Sequence, residues 1–233
     1  MTKTILVVGG TSGIGAALAR DLVEKGDRVV LTGRDGARAK QVAASIGDRA
    51  HGIALDLSKP EAIAPALAGV GNLGGLVLGA IERDQNSVRE YDIARATRLT
   101  ILKLVGYTET VHTLLDRLDA SVDTGIVLFG GRAKDLPYPG STTVSTINAG
   151  VVGLVNTLAL ELAPIRVNAL HPGVIGDSDF WSEKSAATEK FASRTPGGKL
   201  ATVADVVQAT QFLLANRGVS GHSLNVDRGW TLT

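Results

Sequence analysis

A chain of 233 residues, 44% apolar and 20% charged, has the material for a large core and too little charge to remain disordered. A net charge of +1 with scattered basic residues excludes an electrostatic grip on nucleic acid or an anionic membrane, and 4% aromatics leave no stacking platform for single strands. The absence of cysteine excludes disulfides, thiolate chemistry and cysteine-ligated metal. No apolar run in the sequence approaches the ~20 residues of a membrane span. Met1–Val8 runs into glycines without a signal-peptide core, so a cytoplasmic location is expected.

Short aliphatic runs alternate with helical patterns along the chain. Ile5–Val8 predicts a first strand, followed by the glycine-rich run Gly9–Gly15 and a helix over Gly13–Lys25. Arg28–Thr32, Gly52–Leu55, Leu73–Leu78, Gly125–Phe129, Arg166–Leu170 and Ser223–Val226 predict the remaining strands. Asp35–Ile46, Pro60–Ala68, Tyr91–Leu118, Thr142–Leu162 and Val203–Ala215 predict further helices. The strands are continuously apolar rather than alternating, which means burial on both faces, as in a parallel sheet covered by helices. The pattern is that of a doubly wound α/β sheet, a Rossmann fold, in one domain over residues 1–233. Pro172–Leu200 carries no periodic element. It follows a strand's C-terminal end, where such sheets bind ligands, and is expected to act as a substrate loop or lid. Thr142–Leu162 is apolar nearly all round, which predicts burial on its sheet and against a second subunit.

The strand–glycine–helix context makes Gly9, Thr11, Ser12, Gly13, Ile14 and Gly15 a phosphate loop rather than a plain glycine-rich turn. Gly9 permits the tight turn, Gly13 lets the backbone approach a pyrophosphate, and Gly15 lets the helix pack on the strand. The amides and dipole of the helix start then face the phosphates. The second strand ends at Gly33-Arg34. An acid there would accept a hydrogen bond from a ribose 2′-hydroxyl; an arginine pairs instead with a 2′-phosphate. NADP(H) is therefore favoured over NAD(H), although Asp35, Arg38 and Lys40 also suit an ordinary solvated helix start.

The chain resembles the single-domain short-chain dehydrogenases/reductases over essentially its whole length. The resemblance rests on Val8–Gly15, Asp56-Leu57, Ala149–Leu154, Arg166–Ile175 and Asn225–Trp230. It implies a seven-stranded sheet in the order 3-2-1-4-5-6-7, a nicotinamide dinucleotide, and a homodimer or homotetramer joined through the 91–118 and 142–162 helices. It also implies that Asp56 and Leu57 border the adenine, that Ala80 stands in an Asn-Asn-Ala-Gly turn, and that Pro172, Gly173, Val174 and Ile175 lie near the nicotinamide.

The chain departs from that pattern at the chemistry. Gly131 stands at the family's Ser, Val144 at its Tyr, Asn148 at its Lys and Thr100 near its helical Asn. The turn before residue 82 reads Leu78-Gly79-Ala80-Ile81, and Asp177 replaces a Thr that contacts the cofactor amide. Val144 and Gly131 have no side-chain proton to give, and Asn148 has no charge. The usual ketone or alcohol reaction is therefore expected to be nearly absent. Two alternatives remain: an atypical NADPH-dependent reductase of an activated C=C, imine or quinone-like substrate, and a non-redox lyase or isomerase.

Other side chains near these positions have ordinary structural readings. Tyr138 reads as a surface or packing residue, Arg132 and Lys134 as solvated loop cations, and Ser141, Thr142, Thr143 and Ser145 as helix-cap and first-turn residues. His171, Glu109 and His112 read as structural, and Glu82, Arg83 and Asp84 as a polar loop beside the site.

Overall fold

The computed structural model describes residues 2–230. Its strands are β1 (Thr4–Val8), β2 (Arg28–Gly33), β3 (Ala50–Ala54), β4 (Gly75–Leu78), β5 (Gly125–Phe129), β6 (Arg166–Pro172) and β7 (Ser223–Val226). They form one sheet in the order β3-β2-β1-β4-β5-β6-β7, parallel at every pairing. Every residue of β4 and β5 is buried, as their unbroken apolar sequences require. Successive side chains feed two aliphatic cores. Leu6, Leu76, Ile126 and Val167 pack on one face, with Ile5, Val77, Val127 and Leu170 on the other. The strand order reverses at β1, where Val8 lies opposite both Thr32 of β2 and Leu78 of β4. The crevice of an open α/β sheet forms at such a reversal.

The helices are α1 (Gly13–Glu24), α2 (Gly36–Ile46), α3 (Ile63–Leu67), α4 (Ile93–Thr100), α5 (Gly106–Leu114), α6 (Thr142–Glu161), α7 (Asp179–Ser182), α8 (Ser185–Ser193) and α9 (Val203–Ala215). The single helix expected over 91–118 is broken. A π-turn at Ile101–Val105 joins α4 to α5, and a 3₁₀ turn at Leu115–Arg117 ends the run. The backbone comes close at the junction, because a Cβ on Gly106 would overlap the Leu57 carbonyl. Lys103 is buried within this apolar run, on the same i, i+4 stripe as Leu99 and Tyr107. The stretch before α3 opens as a 3₁₀ turn at Pro60–Ala62, and β3 starts two residues earlier than its apolar run. β4 is shorter than expected, and Leu73 makes only an isolated bridge to Leu118.

Residues 172–200 are not the structureless loop their sequence suggests, since they contain α7 and α8. These helices are held by an edge-to-face aromatic chain instead of an amphipathic stripe. Phe180–Trp181, Trp181–Phe191 and Phe191–Trp230 have ring centroids 5.0, 5.5 and 5.4 Å apart. Helix α6, at 20 residues, is long and apolar enough by composition to cross a membrane, contrary to the sequence reading. Its Ile147, Val151, Val155 and Leu158 are nevertheless buried, as in a helix laid on a sheet.

Candidate functional site at the carboxyl ends of the strands

The phosphate loop is built largely by close approach. Gly9 has φ +86°, and a Cβ on it would lie 2.8 Å from the Ala80 amide nitrogen, so the loop abuts the end of β4. A Cβ on Gly15 would overlap the Gly9 carbonyl, which fixes the start of α1 against the loop. Gly13 has φ +50° and open space where a Cβ would be. Ser12 occupies the N-cap of α1 without a side-chain cap bond, and the first turn contains no acid. The opening amides at Gly13, Ile14 and Gly15 thus meet neither a capping side chain nor a carboxylate. A Cβ on Gly33 would lie 2.5 Å from the Thr11 methyl, so the missing side chain makes room for Thr11.

Arg34, which follows β2, has a carboxylate partner in the chain itself. Its NH1 donates to Glu82 Oε1 at 2.7 Å. Arg98 of α4 grips the same carboxylate with two bonds, Nε to Oε2 at 2.8 Å and NH2 to Oε1 at 2.7 Å. Arg98 NH2 is also 3.8 Å from Asp56 Oδ1. The Arg98 hydrogen bonds, aided by the charges of Arg98 and Arg34, hold the Glu82 carboxyl below its usual range despite burial. For Asp56 burial acts upward, but hydrogen bonds from the Ser58 hydroxyl (2.7 Å) and amide (3.0 Å), with Arg98, outweigh it. Leu57 is a core residue, so its side chain does not line the crevice. Asp35 caps α2 through the amides of Ala37 and Arg38, as its position suggested.

At the other end of the crevice, Gly131, Val144 and Asn148 come together. Val144 and Asn148 are one turn apart on α6, the first half-buried and the second buried. A Cβ on Gly131 would lie 2.8 Å from Asn148 Nδ2, and Asn148 Oδ1 has no hydrogen-bond partner among the described residues. Beneath them lies His171, fully buried at the end of β6. Its Nδ1 accepts the Gly131 amide at 3.1 Å, and a Cβ on Gly130 would overlap its ring. Burial pushes His171 down to about 3, and the charges of Lys134, Arg132 and Lys103 act the same way. At neutral pH the ring is uncharged. With Nδ1 accepting, its proton sits on Nε2.

Thr100 does not reach this cluster, because its hydroxyl bonds back to the Ala96 carbonyl of its own helix at 2.8 Å. Asp177 is engaged elsewhere, accepting the Val203 amide at the start of α9 at 2.8 Å. Ser141 sits at the N-cap of α6 but makes no side-chain cap bond; its hydroxyl serves the Tyr138 backbone and Ser145. Tyr138 is 52% exposed, in keeping with a surface residue. Val174 and Ile175 are buried, and Ile175 pairs with Ala201. Pro172 and Gly173 are half-buried at this rim, and Gly173 donates to the Val226 carbonyl and lies against Asp227. Phe180 of α7 lies under two cations, with Arg83 at 3.1 Å and Lys184 at 3.4 Å from its ring centroid.

Arg132 corrects the reading of a solvated loop cation. Its guanidinium is buried, with Nε 2.7 Å from Asp227 of the C-terminal segment, and it also pairs with Asp135. Lys134 is largely covered and pairs with Asp135 at 2.7 Å. Lys103 was missed altogether. It is fully buried, and its Nζ is 3.2 Å from Tyr107 Oη, which in turn donates to the Ala80 carbonyl at 2.9 Å. Burial alone lowers Lys103 to about 7 and raises Tyr107. Lys103 is the single charge in Ile101–Val105, and that placement was the signal available in the sequence.

Comparison with known proteins agrees with this architecture. The family model described as short chain dehydrogenase matches residues 3–189. The 3-oxoacyl-acyl-carrier-protein reductase of Aquifex aeolicus is 30% identical, over 97% of this chain and 96% of its own length. The inactive 2-(S)-hydroxypropyl-CoM dehydrogenase 2 of Xanthobacter autotrophicus is 31% identical, over 92% of this chain and 99% of its own. The MalC reductase/Diels-Alderase of Malbranchea aurantiaca superposes with a TM-score of 0.92 over 100% of this chain and 97% of its own. At 21% identity it speaks for the fold alone.

Proposed function

The chain belongs to the short-chain dehydrogenase/reductase family, and we propose that it is an NADP(H)-binding member with little or no conventional ketone or alcohol turnover. The family binds a nicotinamide dinucleotide, which when bound supplies hydride chemistry. The residues fit that group. Gly13 leaves an open cradle, the α1 N-terminus has neither a cap bond nor an acid, and Arg34 stands at the end of β2. In this reading Gly9, Thr11, Ser12, Gly13, Ile14 and Gly15 hold the phosphates and Asp56 borders the adenine. The Leu57 backbone, Ala80, Pro172, Gly173 and Ile175 shape the remainder.

The observation that carries the loss of chemistry is the juxtaposition of Gly131 and Asn148, where a Cβ at 131 would lie 2.8 Å from the Asn148 amide nitrogen. In this reading the positions of the proton donor and its activating cation hold Val144 and Asn148, neither of which ionises. Positioned acid–base catalysis is worth about 10²–10⁴-fold, and an oxyanion donor roughly 10²–10³-fold more. Neutral His171, occupied at Nδ1 by the Gly131 amide, is no substitute acid. That a 31% identical relative is itself called inactive supports the same reading. Titration with NADPH and NADH tests it. Arg34→Ala is expected to weaken NADPH about tenfold and NADH less than twofold; equal losses would rule out Arg34 as the 2′-phosphate partner.

A second reading is favoured by Val144, a half-buried apolar wall. An activated C=C, imine or quinone-like acceptor needs no immediate proton on oxygen and tolerates such a wall. NADPH consumption across a panel of enones, imines and quinones decides it, and a flat response throughout excludes it.

The same proposal makes residues 172–200 a lid on one domain spanning 1–233, in a cytoplasmic homodimer or homotetramer. The exposure of Ile93, Val105 and Leu160, at 72%, 48% and 82%, supports subunit contact through the 91–118 and 142–162 helices.

A further inference from the structure

Arg34 follows β2, and Glu82 follows β4. Those strands lie on opposite sides of β1, with Thr32 and Leu78 both opposite Val8. The 2.7 Å contact between the two side chains therefore bridges over the carboxyl end of β1, directly above the turn where the phosphate loop leaves it. The partners differ in freedom. The Arg34 side chain is 65% exposed and has Glu82 as its ion-pair partner, whereas Glu82 is 22% exposed and gripped by two bonds from Arg98. Arg98 in turn lies beside Asp56, so the carboxylate is anchored to the α4 side of the crevice. Arg34 can swing away from the bridge while Glu82 stays in place.

We propose that Glu82 is a specificity-determining residue that competes with the 2′-phosphate of NADPH for Arg34. The inference rests on the NADP(H) reading above and adds to it the residue that limits the preference. A 2′-phosphate has to take Arg34 from a carboxylate that remains nearby, and the two anions repel each other. A 2′-hydroxyl makes neither demand, so NADH leaves the bridge intact. Glu82 thus narrows the discrimination that Arg34 alone would give. Neutralising it as the amide keeps the shape of the side chain and a hydrogen-bond acceptor for Arg98 while removing the competing charge.

The test is equilibrium titration with NADPH and NADH of wild type, Glu82→Gln, Arg34→Ala and the double variant. Glu82→Gln is expected to tighten NADPH about fivefold or more and to change NADH less than twofold. In the Arg34→Ala background only the direct repulsion between the two anions remains, so the Glu82→Gln effect on NADPH should shrink to less than half of its wild-type size, the difference measuring the coupling of the pair. Unchanged or weakened NADPH binding in Glu82→Gln overturns the proposal, as does equal tightening of both nucleotides. If neither nucleotide binds any of the four proteins, the NADP(H) reading itself falls and the proposal with it. That pattern differs from binding without discrimination. Melting curves confirm that each variant is folded, and the NADPH-to-NADH ratio is a readout that a merely structural role for Glu82 would not move.

Discussion

Lys103→Met is expected to stabilise the protein at pH 6 by on the order of 3–4 kcal/mol, with the gain disappearing above pH 10. Lys103 is completely buried, and its one hydrogen-bond partner among the described residues is neutral Tyr107. Burial lowers its pKa from 10.5 to about 7. Above pH 10.5 the amine is neutral in both folded and unfolded chains and costs nothing electrostatically. Between pH 10.5 and 7 the unfolded chain holds a proton that the folded chain does not, so stability falls as pH falls. Below pH 7 the cost is fully present. At roughly 1.4 kcal/mol per pH unit that cost is on the order of 5 kcal/mol. Methionine fills the same channel without charge and forfeits one hydrogen bond worth about 1 kcal/mol. Tyr107 keeps its bond to the Ala80 carbonyl. For a chain of this size the gain corresponds to a melting temperature about 6–15 °C higher. Thermal melts from pH 6 to 10.5 check it. A variant less stable than wild type at pH 6 would mean that the buried ammonium is compensated.

Lys103 also marks where sequence reasoning ends. The order of strands and helices is legible because each β-strand is an aliphatic run and the glycine loop has a defined place between strand and helix. The loop's geometry is legible for the same reason, since Gly9, Gly13 and Gly15 answer backbone demands that only glycine meets cheaply. The π-turn is hidden, because its hydrophobic spacing is close to that of an ordinary helix, and Lys103 stands on the same stripe as buried Leu99 and Tyr107. Pairings across distant segments are hidden too. Arg34 meets Glu82 48 positions away, and Arg132 meets Asp227 across the sheet's carboxyl edge. Each of these charges looks solvated in its own segment, and only the strand order brings its partner. The helices of 172–200 escaped detection because an aromatic chain, rather than a periodic stripe, holds them.

The Gly131→Ser, Val144→Tyr, Asn148→Lys triple variant is expected to reduce an activated ketone with NADPH at least ~10²-fold faster than wild type, the lower end of what positioned proton transfer supplies. The three positions have to change together. A serine at 131 alone places its Cβ 2.8 Å from Asn148 Nδ2, in a region where Asn148 is 3% exposed and His171 is fully buried. The amide has little room to retreat, so Gly131→Ser alone is expected to cost about 1–3 kcal/mol through overpacking. Lysine at 148 removes that amide and brings a charge one helical turn from the new tyrosine. The positive charge stabilises tyrosinate and lowers the phenol's pKa, and the serine hydroxyl donates to the developing oxyanion. The gain should remain at the low end because Thr100 still bonds its own helix and contributes nothing to a proton relay. Double variants missing any one change are expected to stay within about tenfold of wild type, since these groups act as a unit. Steady-state NADPH oxidation with each variant, alongside melting curves and nucleotide titration, separates the outcomes. A triple variant that folds and binds NADPH but shows no turnover would place the reacting carbon somewhere other than beside residues 131, 144 and 148. Wild-type turnover as fast as the triple variant's would show that another group already delivers the proton.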